Sequence, residues 1–254
     1  MSGWLPAPAE PAGVAPPAAP VQDTRWLTLL LYLLAGFGLF TLSGLLVTRL
    51  VGPTTTILAS LAAYLLNFMC FAGAAYWLGV RGQGLTWADF GLRPFPLRSL
   101  AVWLGAAVLV VPLRAVAALV AQVALGGGLE QLDARMDLIV PPGGPLGLNL
   151  LLTVLDAGLL APMAEELYFR GLIHRWFWAR LPDNPWLRLL LSSSIFALGH
   201  YDSVGVVASS FFLGLLCALA FERTRSLWVS ITIHAINNSL AVLLVYAALA
   251  LAPT

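Results

Sequence analysis

The chain has 254 residues, 60% of them hydrophobic and only 10% charged, with a formal net charge of +1. An ordinary soluble domain carries about 25% charged residues, so a water-facing globular domain is excluded and lipid is the expected main solvent. The absence of a basic surplus argues against a nucleic-acid partner, and the absence of any lysine excludes Schiff-base chemistry.

Residues 1–25 are a Pro/Ala-rich tail with six prolines before Val21. No basic stretch precedes an apolar core there, so the tail reads as an extended or disordered cytoplasmic segment rather than a signal peptide. From Trp26 the chain is almost continuously apolar. A membrane-spanning helix needs about 20 apolar residues, and seven segments are read as spans: 26–48, 56–80, 100–125, 146–167, 187–200, 204–221 and 227–251. The fourth is expected to continue as helix to Trp178, and the fifth is short. The joint 126–145 contains Gly-Gly-Gly, three acids and Pro-Pro-Gly-Gly-Pro, which make it a loop. The expected fold is all-α and polytopic, with about seven transmembrane helices. Arg25, Arg81, Arg93, Arg98, Arg175, Arg180, Arg188, Arg223 and Arg225 fall on one side of this topology, and only Arg49 and Arg135 on the other. That bias predicts a cytoplasmic N-terminus and an external C-terminus.

An ionisable residue within a span is costly and by default a functional hypothesis. The short list is Arg114, Asp156, Glu165, Glu166, Arg170, His200 and His234, with Asn67 and Asn238 as uncharged additions. The first three spans contribute only Asn67 and Arg114, so function is expected within 146–251. Cys70 and Cys217 each lie in an apolar run and read as small buried apolar residues.

In the fourth span, Glu166 and Arg170 stand at i and i+4 with the acid N-terminal, the favourable order for a helical ion pair. Glu165 is turned about 100° away, which leaves it for another role; desolvation there would strengthen it as a general base. Pro162, one turn earlier, is expected to kink the helix beside it. The fifth span ends on Phe196 and His200, again i and i+4. The seventh carries His234 and Asn238 at the same spacing. A base, two imidazoles and an amide make a hydrolytic set able to activate water and stabilise an oxyanion. His174, on the overhanging helix, is assigned an interfacial, non-catalytic role. Rival protease chemistries fit less well. Ser192, Ser193 and Ser194 lack a Gly-x-Ser-x-Gly setting, Asp156 has no intramembrane aspartate partner because Asp202 falls in a loop, and His-Glu-x-x-His is absent.

Glu165-Glu166-x-x-x-Arg170, Phe196-x-x-x-His200 and His234-x-x-x-Asn238, in this order on successive apolar helices, resemble the motifs of the CPBP (CAAX protease and bacteriocin-processing, or Abi) family of intramembrane proteases. The joint Glu222-Arg-Thr-Arg-Ser-Leu-Trp and the stretch Asp89-Phe-Gly-Leu are further family-like features. The resemblance covers residues 146–251, the expected four-helix catalytic core, and leaves 26–125 as three variable N-terminal helices. It implies an integral membrane endopeptidase, in a bacterial inner or plasma membrane, cutting a membrane-associated protein or peptide as the CAAX proteases do. It further implies that Glu165 and His200 activate water, that His234 and Asn238 form the oxyanion site, and that Glu166, Arg170 and Phe196 support them. The family is often classed as metalloprotease; the glutamate reading requires no cofactor, and a zinc ion, if used, would take His200, His234 and Glu165. The alternatives are a non-hydrolytic scaffold or bacteriocin self-immunity protein of the same fold, or a small transporter using Arg114 and Asp156. One geometric expectation separates them: Glu165, His200, His234 and Asn238 should converge on a single cavity. A fifth helix starting at Asn184 would place His200 about 24 Å deep, so the reading needs that helix to begin above the membrane.

Overall fold

The computed structural model describes residues 23–51, 57–95, 97–125, 139–140 and 145–251. The tail up to residue 22, the start of the second predicted span and most of the 126–145 joint lie outside them. Helices α1 (Trp26–Leu33) and α2 (Leu39–Val51) form one rod through a π-helical turn, Leu34–Gly38. Helix α3 (Ile57–Ala74) runs into the turn Ala75–Arg81. Helix α4 is Leu97–Ala124. The fourth rod joins α5 (Leu146–Leu155), α6 (Ala161–Tyr168) and α7 (Arg175–Arg180) through π turns at Asp156–Leu160 and Phe169–His174. Helices α8 (Pro185–Leu198), α9 (Val204–Thr224) and α10 (Leu227–Leu251) complete the order.

Among the described residues, six rods are long and apolar enough to cross a membrane: Trp26–Leu50, Leu61–Arg81, Leu100–Ala124, Leu146–Arg180, Val204–Thr224 and Leu227–Leu251. This is an integral membrane architecture. The fifth predicted span, α8, has 14 residues, so it covers about 21 Å of a hydrocarbon layer about 30 Å thick. Its start is set locally: Asn184 Oδ1 accepts the Leu187 N–H at 3.1 Å, and Pro185 occupies the first helical position, where its missing N–H costs nothing. Large apolar side chains such as Val102, Leu109, Val123 and Leu244 point outward, as a lipid-facing surface requires.

Two interior zones hold the rods together. Helices α4, α9 and α10 meet along a seam of Ala107, Leu213, Cys217, Ala220, Val229 and Ile233. The backbones of α4 and α9 approach so closely that a Cβ on Gly205 would lie 2.9 Å from the Ala118 carbonyl oxygen, the small-residue packing that drives helix association in lipid. The second zone is aromatic and centres on Phe71, Tyr168, Phe169, Trp176 and Phe196.

Phe90, from the Asp89-Phe-Gly-Leu stretch, is fully buried and wedges between Gly79 and Gly171, leaving neither glycine room for a Cβ. The next residue, Gly91, has φ +98°, a conformation that disfavours a side chain, and its carbonyl receives the Leu227 N–H at 2.7 Å. The stretch thus ties the N-terminal half to the start of α10. Gly171→Ala is expected to cost about 1–3 kcal/mol by overpacking against a ring that has nowhere to go. Thermal unfolding in detergent measures it, and an unshifted melting temperature would mean that the ring yields.

Candidate active site

Residues Leu181–Asn184 form the turn of a helical hairpin between α7 and α8. Glu165 lies 15 residues before Arg180, and His200 lies 15 residues after Pro185. At 1.5 Å per residue both sit about 22 Å from that turn, which is how a histidine at the end of a short helix meets a glutamate inside a long one. The His200 Nε2 is 3.8 Å from Glu165 Oε2. The His234 Nε2, coming from α10, is also 3.8 Å from the same oxygen.

Each imidazole is held from behind. His200 Nδ1 lies 2.9 Å from the Phe196 carbonyl oxygen. A carbonyl only accepts, so Nδ1 carries a proton and Nε2 is the nitrogen turned toward Glu165. His234 Nδ1 is 2.8 Å from Glu166 Oε1, which by the same reasoning turns its Nε2 toward Glu165. Glu166 is completely buried and its Oε1 also pairs with Arg170 at 2.8 Å, the i, i+4 pair expected from the spacing. Arg170 donates to the Gly214 carbonyl on α9 at 2.9 Å and lies 4.5 Å above the Phe196 ring. That ring also packs against His200 and His234, with centroids 4.7 and 5.5 Å away. Phe196 is therefore the apolar floor under both imidazoles and the buried cation.

Asn238 reaches the site through Pro162. In the π turn before α6, the Ala161 N–H bonds the Asp156 carbonyl, an i+5 register. The next bond in that register would run from residue 162 to Ala157, and proline has no N–H to give. The Asn238 Nδ2 donates to the Ala157 carbonyl at 3.0 Å instead. Pro162 thus frees a carbonyl that orients Asn238, a role beyond the kink its position suggested, and one of the two amide N–H groups of Asn238 is spent there.

Glu165, His200 and Asn238 line one cavity of about 360 Å³; His234, expected to open on the same cavity, does not line it and meets Glu165 from within the protein. Much of the remaining wall comes from the N-terminal half: Phe37, Phe40, Tyr64, Asn67, Phe71 and Arg114. The cavity wall therefore extends beyond 146–251, the segment in which function was expected. Asn67 Nδ2 lies 3.5 Å from Glu165 Oε1. Arg114 donates to Ser209 Oγ at 3.1 Å and to Asn237 Oδ1 at 3.0 Å, so it is stitched to α9 and α10 by neutral acceptors. Ile139, where the 126–145 joint returns, also lines the cavity, and its carbonyl accepts from Thr153 and Tyr246, each at 3.0 Å.

His174 stays outside the cavity, as its non-catalytic assignment expects, and is fully buried. Its Nδ1 meets Ser192 Oγ at 2.7 Å and its Nε2 meets Glu222 at 3.1 Å, while Arg188 clamps Glu222 with bonds of 2.5 and 3.0 Å. The Ser-His-Glu order imitates a nucleophilic triad, but none of the three lines the cavity, and the cluster locks α8 to α9.

Zinc at Glu165, His200 and His234 would require ligand atoms roughly 3.4 Å apart around a shared centre. Among the described residues the grouping of three candidate ligands gathered within 4.8 Å is instead Glu166, Cys217 and His234. There the guanidinium of Arg170 already supplies the positive charge.

Residues 147–240 match the family model described as type II CAAX prenyl endopeptidase Rce1-like, in agreement with the resemblance carried by the three motifs. An Escherichia coli relative, "Uncharacterized 24.3 kDa protein", is 31% identical over 97 residues, 37% of this chain. The chain thus spans 45% of the length of that curated relative. No solved structure matches.

Proposed function

We propose that the protein is an intramembrane endopeptidase, CAAX-protease-like, that hydrolyses a peptide bond of a membrane-associated protein or peptide with water activated by Glu165. The observation that carries the reading is the convergence of two imidazole Nε2 atoms on one carboxylate oxygen, each 3.8 Å from it, beside a cavity. Three acceptors facing one another repel unless protons lie between them. A water there donates one hydrogen to Glu165 Oε2 and the other to His200 Nε2, and its own lone pair is left for the substrate carbonyl carbon.

As the water oxygen attacks, its proton passes to Glu165 and the carbonyl oxygen takes up negative charge. Asn238 meets that oxyanion with its second amide N–H. His234 meets it through a proton on Nε2, in an imidazolium whose other face rests on Glu166. With Arg170 positive and Glu165 and Glu166 negative, one proton shared among Glu165, His200 and His234 makes the buried set neutral, as a low-dielectric site demands. Collapse of the intermediate breaks the C–N bond, and the proton held by Glu165 goes to the leaving amine. No step passes through a metal, so chelation of purified enzyme is expected to leave the cleavage rate unchanged. A loss that zinc restores would overturn this part of the mechanism.

The test of the function is reconstitution in lipid with membrane-anchored peptides, lipidated and unlipidated, followed by mass spectrometry of the products. A defined internal cut is the expected result. Absence of cleavage across such a panel would favour the scaffold or self-immunity reading. The arginine bias is the basis for placing the N-terminus on the cytoplasmic side of the membrane.

A further inference from the structure

Helix α3 is a run of apolar residues with one primary amide, Asn67, in its second half. A polar side chain at that depth is costly in lipid unless another polar group receives it. Asn67 does not turn back to its own helix. It lies on the face that lines the cavity, between Tyr64 and Phe71, and its Nδ2 is 3.5 Å from Glu165 Oε1. The amide is oriented by that contact: its Oδ1 is buried with no hydrogen-bond partner among the described residues. The reverse orientation would set two acceptor oxygens against each other. Glu165 therefore has its two oxygens sorted. Oε1 faces an amide donor from the N-terminal half, and Oε2 faces the two imidazoles.

We infer that Asn67 is a positioning residue for the base, holding Oε1 so that Oε2 is the oxygen presented to the attacking water. The inference rests on the proposed role of Glu165 and extends the working site beyond the family-matched segment 147–240. It also gives α3 a function beyond span-filling. Loss of the amide removes the donor that faces Oε1, and a displacement of about 1 Å at a reacting group costs on the order of 100-fold in rate.

The experiment compares Asn67→Leu, which keeps volume and removes the donor, with Asn67→Gln, which keeps the donor on a longer stem, using steady-state cleavage of a membrane peptide. The expected result is a kcat lower by about 10- to 100-fold in N67L with KM within about threefold of wild type, and substantial recovery in N67Q. Thermal unfolding of both variants reports folding. If N67L misfolds, N67Q against Asn67→Glu, which replaces the donor by a second carboxylate, makes the same comparison. Wild-type kcat in N67L, or equal loss in N67L and a well-folded N67Q, would overturn the inference. Full activity in Glu165→Gln would instead overturn the base assignment on which it rests, so the two failures are distinguishable.

Discussion

Glu165→Gln is expected to lower kcat by about 10²- to 10⁴-fold, the range that a positioned general base contributes, while leaving the fold and substrate affinity close to wild type. Gln is nearly isosteric with Glu. Its carbonyl oxygen can take the place of Oε1 beside the Asn67 amide, and its NH₂ can take the place of Oε2, where it donates to an imidazole Nε2 instead of receiving a proton from water. The ion pair of Glu166 with Arg170 and the bond of Glu166 to His234 are untouched, so no buried charge loses its partner. The measurement is steady-state cleavage beside the melting temperature in detergent. A folded E165Q enzyme cutting at the wild-type rate would remove Glu165 from the mechanism. An unfolded one is not expected, because the substitution relieves a negative charge in a poorly solvated site rather than creating one.

The architecture was legible in the sequence because lipid imposes a coarse rule: a rod must be apolar over a bilayer's thickness. The limits of α10 follow from that alone, and those of α4 and α9 to within three residues. The motif residues were legible because polar groups in such rods are rare and their i, i+4 spacing pairs them on one face. What remained hidden depends on contacts between rods. The match in depth of Glu165 and His200 depends on where the turn at 181–184 sits, which the expected continuation of the fourth rod to Trp178, two residues short of Arg180, does not by itself place. Phe196 showed itself only as a motif letter, whereas its ring supports two imidazoles and a guanidinium. Pro162 and Asn238 are 76 positions apart and meet only through the Ala157 carbonyl. Asn67 and Arg114 stood out as misplaced polar groups, but nothing local assigns a polar group on one helix to a cavity built by others.

Glu166→Gln is expected to be the most destabilising single change at the site, although Glu166 takes no proton from substrate. Glu166 is wholly buried and Arg170 almost so, and their atoms pair at 2.8 Å. Removing the carboxylate strands a guanidinium held, among the described residues, only by the Gly214 carbonyl and the face of Phe196. Breaking a buried pair from one side typically costs about 3–5 kcal/mol, whereas removing both partners together is often tolerated. The melting temperature of E166Q is therefore expected to fall by on the order of 10 °C, and that of the double variant Glu166→Gln with Arg170→Met to lie above it. Activity is expected to part from stability. His234 Nδ1 takes its orientation from the Glu166 carboxylate at 2.8 Å, and an imidazolium facing the oxyanion needs that charge behind it. The double variant should regain stability without regaining the rate. If it regained both, Glu166 would matter only as a counterion for Arg170. If E166Q unfolded no more easily than wild type, the pair would be solvated and the dry, electroneutral site on which the mechanism depends would not exist.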